Sequence, residues 1–190
     1  MNNFETLTLY EKDITDFAEA RNRLLISASH DWVLFLDTDE EVTKELAREI
    51  KDLDPKDFNG FYIKRKIVFL GKCIGEDKVL RLGKKDAGKW ERKVHETWKI
   101  KGKVGTLKNS LVHNTSGDLH SYIDKMNTYS GIHASENMRE GKNSGIFKIV
   151  LFPKLKFIQN LFLGRGFVFS MLQSFHSFLG WAKQWELQKD

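Results

Sequence analysis

The chain has 190 residues, is 41% hydrophobic and 30% charged with two prolines, and carries a formal net charge of +5. That composition fits a folded protein, soluble or at a membrane surface, and excludes collagen-like, long disordered and multidomain architectures. The length suits one domain with a real core, and at most an appendage.

A single cysteine, Cys73, excludes an internal disulfide framework and multi-cysteine zinc or iron–sulfur sites. The opening residues MNNFETLTLYEKD have no basic stretch followed by an apolar one, so no secretory signal is expected and a cytoplasmic, reducing setting is the default.

Residues 4–10 alternate as a strand does. Residues 15–29 read as a helix with Thr15 as N-cap and Asp16 and Glu19 in its first turn. Its apolar stripe is Phe17, Leu24, Leu25 and Ala28, and Arg21 falls on it, one turn from Phe17. An arginine at such a position needs a carboxylate, carbonyl or phosphate, or must snorkel to the edge. Trp32–Leu36 (WVLFL) is a short continuous apolar run, the pattern of a strand buried on both faces. It ends in Asp37-Thr38-Asp39-Glu40-Glu41.

A helix is expected over 43–53, with Leu46, Ile50 and Leu53 inward. A turn at Asn59-Gly60 follows, then a strand over 61–70 broken by Gly71. Residues 79–82 and 104–113 read as further strands separated by a charged stretch, and 118–138 as a helix. This order predicts an α/β fold with a mixed sheet.

Charge divides the chain. Residues 142–190 hold seven basic residues against two acidic ones, the whole net excess, and ten phenylalanines and tryptophans, whereas 1–141 is balanced. The expected organisation is a globular region, 1–141, and a basic, aromatic helical tail, 142–190. The longest uncharged run, 166–182, contains serines, a glutamine and a histidine. It falls short of the roughly 20 predominantly apolar residues that a spanning helix needs. Phe-rich helices flanked by lysines suit the bilayer interface instead, where anionic lipid attracts each basic residue. A tail packed on the globular region, or a dimer contact, is the alternative.

Asp37 and Asp39 leave the WVLFL run at i and i+2, so their carboxylates can converge beyond the carboxyl end of a buried strand, where open α/β sheets bind ligands. Two such oxygen anions suit Mg²⁺ or Mn²⁺, which can hold a diphosphate in turn. Otherwise these acids cap and charge the next helix. Two other motifs fail: Gly83 to Lys89 begins like a P-loop, but Trp90 stands where Ser or Thr is required, and His95-Glu96 lacks the second zinc-protease histidine at Lys99. Glu96, in a segment bounded by tryptophans, is a candidate general base. His113, at a strand end, is a candidate nitrogen ligand.

Phe17 to Asn22 (FAEARN) and Asp31 to Glu40 (DWVLFLDTDE) resemble the middle of family 2 glycosyltransferases, with the closer likeness to those acting on lipopolysaccharide core and related envelope glycans. Lys93 to Glu96, the Leu111-Val112-His113 segment, and Gly166 to Leu187 resemble the same subgroup. The resemblance implies a GT-A fold, Rossmann-like, a nucleotide-diphosphate sugar donor, a divalent cation and transfer with inversion to a glycan or lipid-linked acceptor. It implies that Asp37 and Asp39 face metal and diphosphate, that Glu96 deprotonates the acceptor hydroxyl, that His113 contacts metal or diphosphate, and that Arg21 lies near the donor phosphates.

Members of that family carry a further strand, helix and strand ahead of the equivalent of residue 1, so an N-terminally truncated domain is expected. The expected location is peripheral, on the inner face of the cytoplasmic membrane. A non-catalytic remnant binding membrane or a partner through its tail is the rival. Nucleic acid is not an expected partner, because the basic clusters alternate with acids.

Overall fold

A computed structural model describes residues 4–10, 14, 16–92 and 96–189. Thr15 and the segment 93–95, including His95, lie outside the described residues. In chain order the elements are β1 (Phe4–Thr8), α1 (Phe17–Ser27), β2 (Trp32–Leu36), β3 (Glu40–Val42), α2 (Lys44–Asp52), β4 (Gly60–Phe69), β5 (Lys72–Lys84), a 3-10 turn Lys85–Ala87, β6 (Gly88–Glu91), β7 (Thr97–Ile100), β8 (Val104–Ser116), α3 (Leu119–Arg139), α4 (Ile146–Phe162) and α5 (Phe167–Leu187). They form two compact units, Met1–Val68 with Glu76–Asn114, and Phe69–Gly75 with Thr115–Asp190.

The sheet is mixed, in the order β1-β2-β5-β4-β8-β3. β1 runs parallel to β2, while β2–β5 and β3–β8 are antiparallel. The alternation of β2 explains its unbroken hydrophobicity. Trp32 and Leu34 pack on one face with Leu46 and Ile50 of α2. Val33 and Phe35 pack on the other with Ala18, Leu25, Trp90 and Trp98. The strand is therefore sandwiched between α2 on one side and α1 with the β6–β7 hairpin on the other, which places its carboxyl end over a fully enclosed base.

Local chemistry fixes the helix starts. Asp16 caps α1, accepting from the Glu19 N–H at 2.9 Å. Thr43 caps α2, accepting from Leu46 N–H at 3.2 Å and donating to the Ser110 carbonyl at 2.8 Å. The strand expected over 79–82 is the end of the much longer β5, and the charged stretch after it contains β6 and β7. There Trp90 pairs with Trp98 in register. The two indoles stack at 5.4 Å, and both meet Phe35 edge-on. Gly88 is needed for this hairpin, because a Cβ there would stand 2.1 Å from the Lys99 carbonyl oxygen.

In the second unit, α3 starts at Asp118, whose carboxylate accepts from Ser121 N–H at 2.8 Å, and α4 and α5 pack against one another. No helix among the described residues is long and apolar enough to cross a membrane. Cys73 is exposed, with its Sγ 3.7 Å from the Gly75 carbonyl oxygen.

Candidate functional site

The turn that follows β2 is built around Glu40. Its backbone N–H donates to the Asp37 carbonyl at 3.0 Å, and one of its carboxylate oxygens accepts from the Asp37 N–H at 3.0 Å. The other accepts from Arg65 at 3.0 Å and from Arg81 at 3.1 Å. The Glu40 side chain is fully enclosed. Burying it is tolerable because it has three donors, two of them cationic.

Arg21 answers the question its position on the α1 stripe poses. It is buried, and it joins two carboxylates distant in sequence: Nη2 donates to Asp37 Oδ1, and Nε donates to Glu96 at 3.0 Å. Its guanidinium lies over Trp90 at 4.8 Å and Phe35 at 5.5 Å, a cation–π arrangement. Burial works against its charge, but Asp37 and Glu96 outweigh burial and raise its pKa above the usual guanidinium value. The second oxygen of Asp37 accepts from Arg81. Burial alone would push the Asp37 carboxyl up; Arg81 and Arg21 overcome it and hold it below the usual carboxylate range. Arg65 makes a bidentate pair with Asp77, at 2.9 and 2.7 Å. Burial opposes its charge too, and Asp77 and Glu40 raise its pKa regardless.

Next to this cluster, β3–β8 pairing sets Glu40 opposite His113, and Asn114 N–H donates to the Asp39 carbonyl at 2.8 Å. That register brings His113 Nε2 within 3.4 Å of the Asp39 carboxylate. The His113 Nδ1 is buried with no hydrogen-bond partner. Arg21, Asp37 and Glu96 thus form one linked group, and Asp39 and His113 a neighbouring pair.

Sequence reasoning expects Asp37 and Asp39 both to face a cation. In the structure the two Asp37 oxygens are instead engaged by guanidiniums. Among the described residues no group of three or more His, Cys, Asp or Glu is arranged to hold a metal ion. The donor set that remains is Asp39 with His113. A hard cation such as Mg²⁺ is commonly held by one or two carboxylates and completes its sphere with substrate phosphate and water; here Asp39 supplies one carboxylate and His113 a nitrogen. The pair fits a cation shared with a diphosphate, and does not fit one caged by protein alone. Glu96 is expected beside aromatic walls; Trp90 and Trp98 do share its surroundings, but its hydrogen-bonded partner is the Arg21 cation.

An open cleft of about 1030 Å³ is lined by Asp37, Arg65, Arg81, Trp90, Glu96 and Trp98, among others. Its volume is on the scale of clefts that take small-molecule ligands. Asp39 and His113 are not among its lining residues. Arg65, Arg81, Glu40 and Asp77 belong to the same ion cluster, and sequence reasoning did not single them out as candidates. Arg81 had a signal: it interrupts the apolar run Val79-Leu80-Arg81-Leu82, one residue from Leu82, which pairs with Leu34 of β2.

No protein-family model matches the chain. Among curated proteins it is similar to the lipopolysaccharide core biosynthesis glycosyltransferase LpsC of Rhizobium meliloti (strain 1021), 26% identical over 184 residues, which cover 88% of this chain and 68% of that protein. It is also similar to uncharacterized glycosyltransferases of Rickettsia bellii, 27% identical over 184 residues, and of Rickettsia typhi, 26% identical over 184 residues; each covers 83% of this chain and 63% of the relative. The chain thus spans roughly two thirds of the length of these relatives. The likeness supports a glycosyltransferase, and the mixed α/β architecture fits a Rossmann-like fold of such enzymes.

Proposed function

We propose that this chain carries the catalytic region of a family 2-like, GT-A-type inverting glycosyltransferase, moving a sugar from a nucleotide-diphosphate donor to a lipopolysaccharide-core or related envelope glycan. The observation that carries this reading is the junction at the end of β2, where Arg21 bridges Asp37 and Glu96 and the Asp39–His113 pair stands beside it. In this reading Arg65 and Arg81, which line the cleft, form the cationic floor for the donor diphosphate, since guanidinium forks match phosphate oxygens, and the buried Arg21 lies near the phosphates as the positive charge behind Asp37 and Glu96. Asp37 orients Arg21 and Arg81 through its two oxygens. Asp39 and His113 would hold the Mg²⁺ or Mn²⁺, which when bound neutralises charge developing on the departing nucleoside diphosphate. Glu96, opening onto the cleft, accepts the proton of the acceptor hydroxyl as that oxygen attacks the anomeric carbon from the face opposite the leaving group.

The test is transfer of labelled sugar from a panel of nucleotide sugars to a truncated lipopolysaccharide-core acceptor. Asp39→Ala and Glu96→Gln should each lower the rate about a hundredfold or more, the range of a lost proton-transfer or electrostatic group. Chelation should abolish transfer, and added Mg²⁺ or Mn²⁺ should restore it. Full activity in both variants would reject the assigned site.

A further inference from the structure

Much of the polarity of the α4–α5 hairpin is inverted: beside Phe169, which packs on Phe69 and Tyr122, and Pro153, the residues the two helices bury are polar or small. In α5, Ser170, Gln173, Ser177, Gly180 and Gln184 recur at helical spacing and form the side turned into the unit. Ser170 and Gln184 are completely enclosed, as is Ser130 of α3. Their partners are local: Gln173 donates to the Tyr122 hydroxyl at 2.6 Å, Gln184 to the Lys142 carbonyl at 2.5 Å, and Lys183 to Ser130 at 2.9 Å. Asn160 of α4 is buried as well, donating to the Lys156 carbonyl at 2.7 Å and accepting from Arg165 at 3.0 Å.

The outward side is apolar. In α5 it is the stripe Val168, Met171, Phe175, Phe178 and Trp185, all exposed, with Ala182 between the last two. In α4 it is Phe147, Val150, Ile158 and Leu161, interrupted by Lys154 alone, with Leu155 and Phe162 beside them. Phe162, at the turn between the helices, is 89% exposed, and Phe147 is 73% exposed. A helical unit that faces water puts its apolar stripe inward. One that packs small and polar side chains between helices and turns large apolar ones outward is arranged as helices are in lipid.

We infer that the outward face of α4 and α5 lies in the interfacial layer of an anionic phospholipid bilayer, as a monotopic hairpin. Three observations favour lipid over a second copy of the chain. The exposed apolar area runs along both helices and the turn joining them. It is accompanied by Lys148, Lys154, Lys156, Arg165 and Lys189, within the segment that holds the whole net positive charge of the protein. Such charge repels an identical face and is attracted to anionic headgroups. Neither helix is long and apolar enough to cross, which fits helices lying in the interface. This inference does not depend on the glycosyltransferase reading, and its test has no catalytic readout.

The experiment is flotation of the purified full chain with vesicles of phosphatidylcholine alone or with roughly one third phosphatidylglycerol, under reducing conditions. The chain should float with the anionic vesicles, and Phe162→Glu/Phe175→Glu should lower the bound-to-free ratio about tenfold or more. Both positions are exposed, so circular dichroism should be unchanged. Because Trp185 lies on the outward stripe, acyl chains brominated near the headgroup should quench tryptophan fluorescence, and Trp185→Phe should remove most of that quenching. Absence of flotation overturns the proposal. So does flotation that the double glutamate variant leaves intact, or a lipid-free dimer that this variant dissociates while the chain fails to bind vesicles.

Discussion

Glu40 is the residue on which the ion cluster turns. Its carboxylate is enclosed and accepts from Arg65, Arg81 and the Asp37 backbone. Glu40→Ala would leave two largely buried guanidiniums sharing fewer anions, so it should lower the unfolding free energy by about 3 kcal/mol, as when one member of a buried ion pair is removed. A urea midpoint within error of the parent would contradict that. Asp37 adds a pH dependence. Its folded pKa is depressed, so it binds its proton more weakly in the folded chain than in the unfolded one. The stability it contributes is fully present above about pH 4, the ordinary Asp value, and is lost as pH falls through the lower folded value. The acid limb of stability against pH should accordingly be flatter in Asp37→Asn. The sequence singles out Arg21, Asp37, Asp39, Glu96 and His113 by residue type and position, and the structure links Arg21 to Asp37 and Glu96 and sets His113 beside Asp39. The countercharges Arg65 and Arg81 were not singled out: Arg81 interrupts an apolar run, but its meeting with Asp37 follows from the register of β5 against β2, and Arg65 stands on β4, the next strand of the sheet.

At the scale of elements, β2 was legible to the residue, since burial on both faces leaves an unbroken apolar run. β6 and β7 were not, although Lys89-Trp90-Glu91 and Trp98-Lys99-Ile100 alternate as half-buried strands do. Their dense charge masked one tryptophan in each strand, and those two indoles close the core over Phe35. The β4–β5 hairpin carries its own strain: Leu70 has φ +47° and Gly71 φ +76° in a two-residue turn. A two-residue turn with both residues at positive φ favours Asn-Gly, and a left-handed conformation costs an ordinary side chain about 1 kcal/mol. Leu70 is partly exposed, so little burial is lost on changing it. Leu70→Asn should raise the unfolding free energy by about 0.5–1 kcal/mol, seen as a higher urea midpoint; a lower one would mean that its apolar contacts outweigh the backbone strain.

Across the whole molecule, two solutions to burying polarity coexist in one short chain. One unit encloses arginines and carboxylates next to an apolar core and satisfies them with one another. The other encloses serine, asparagine and glutamine alongside Phe69 and Phe169, and leaves a longer row of aromatic and aliphatic side chains outside. Composition averages the two, which is why a hydrophobic fraction of 41% and a modest net charge gave no hint of either. The single sulfhydryl, exposed on β5, has a simple stoichiometric result. Any disulfide formed between copies of these 190 residues must join two molecules at the same position, giving a twofold-linked species that owes nothing to lipid or nucleotide and vanishes with reductant. A maleimide dye placed there tags these 190 residues once, at a known spot.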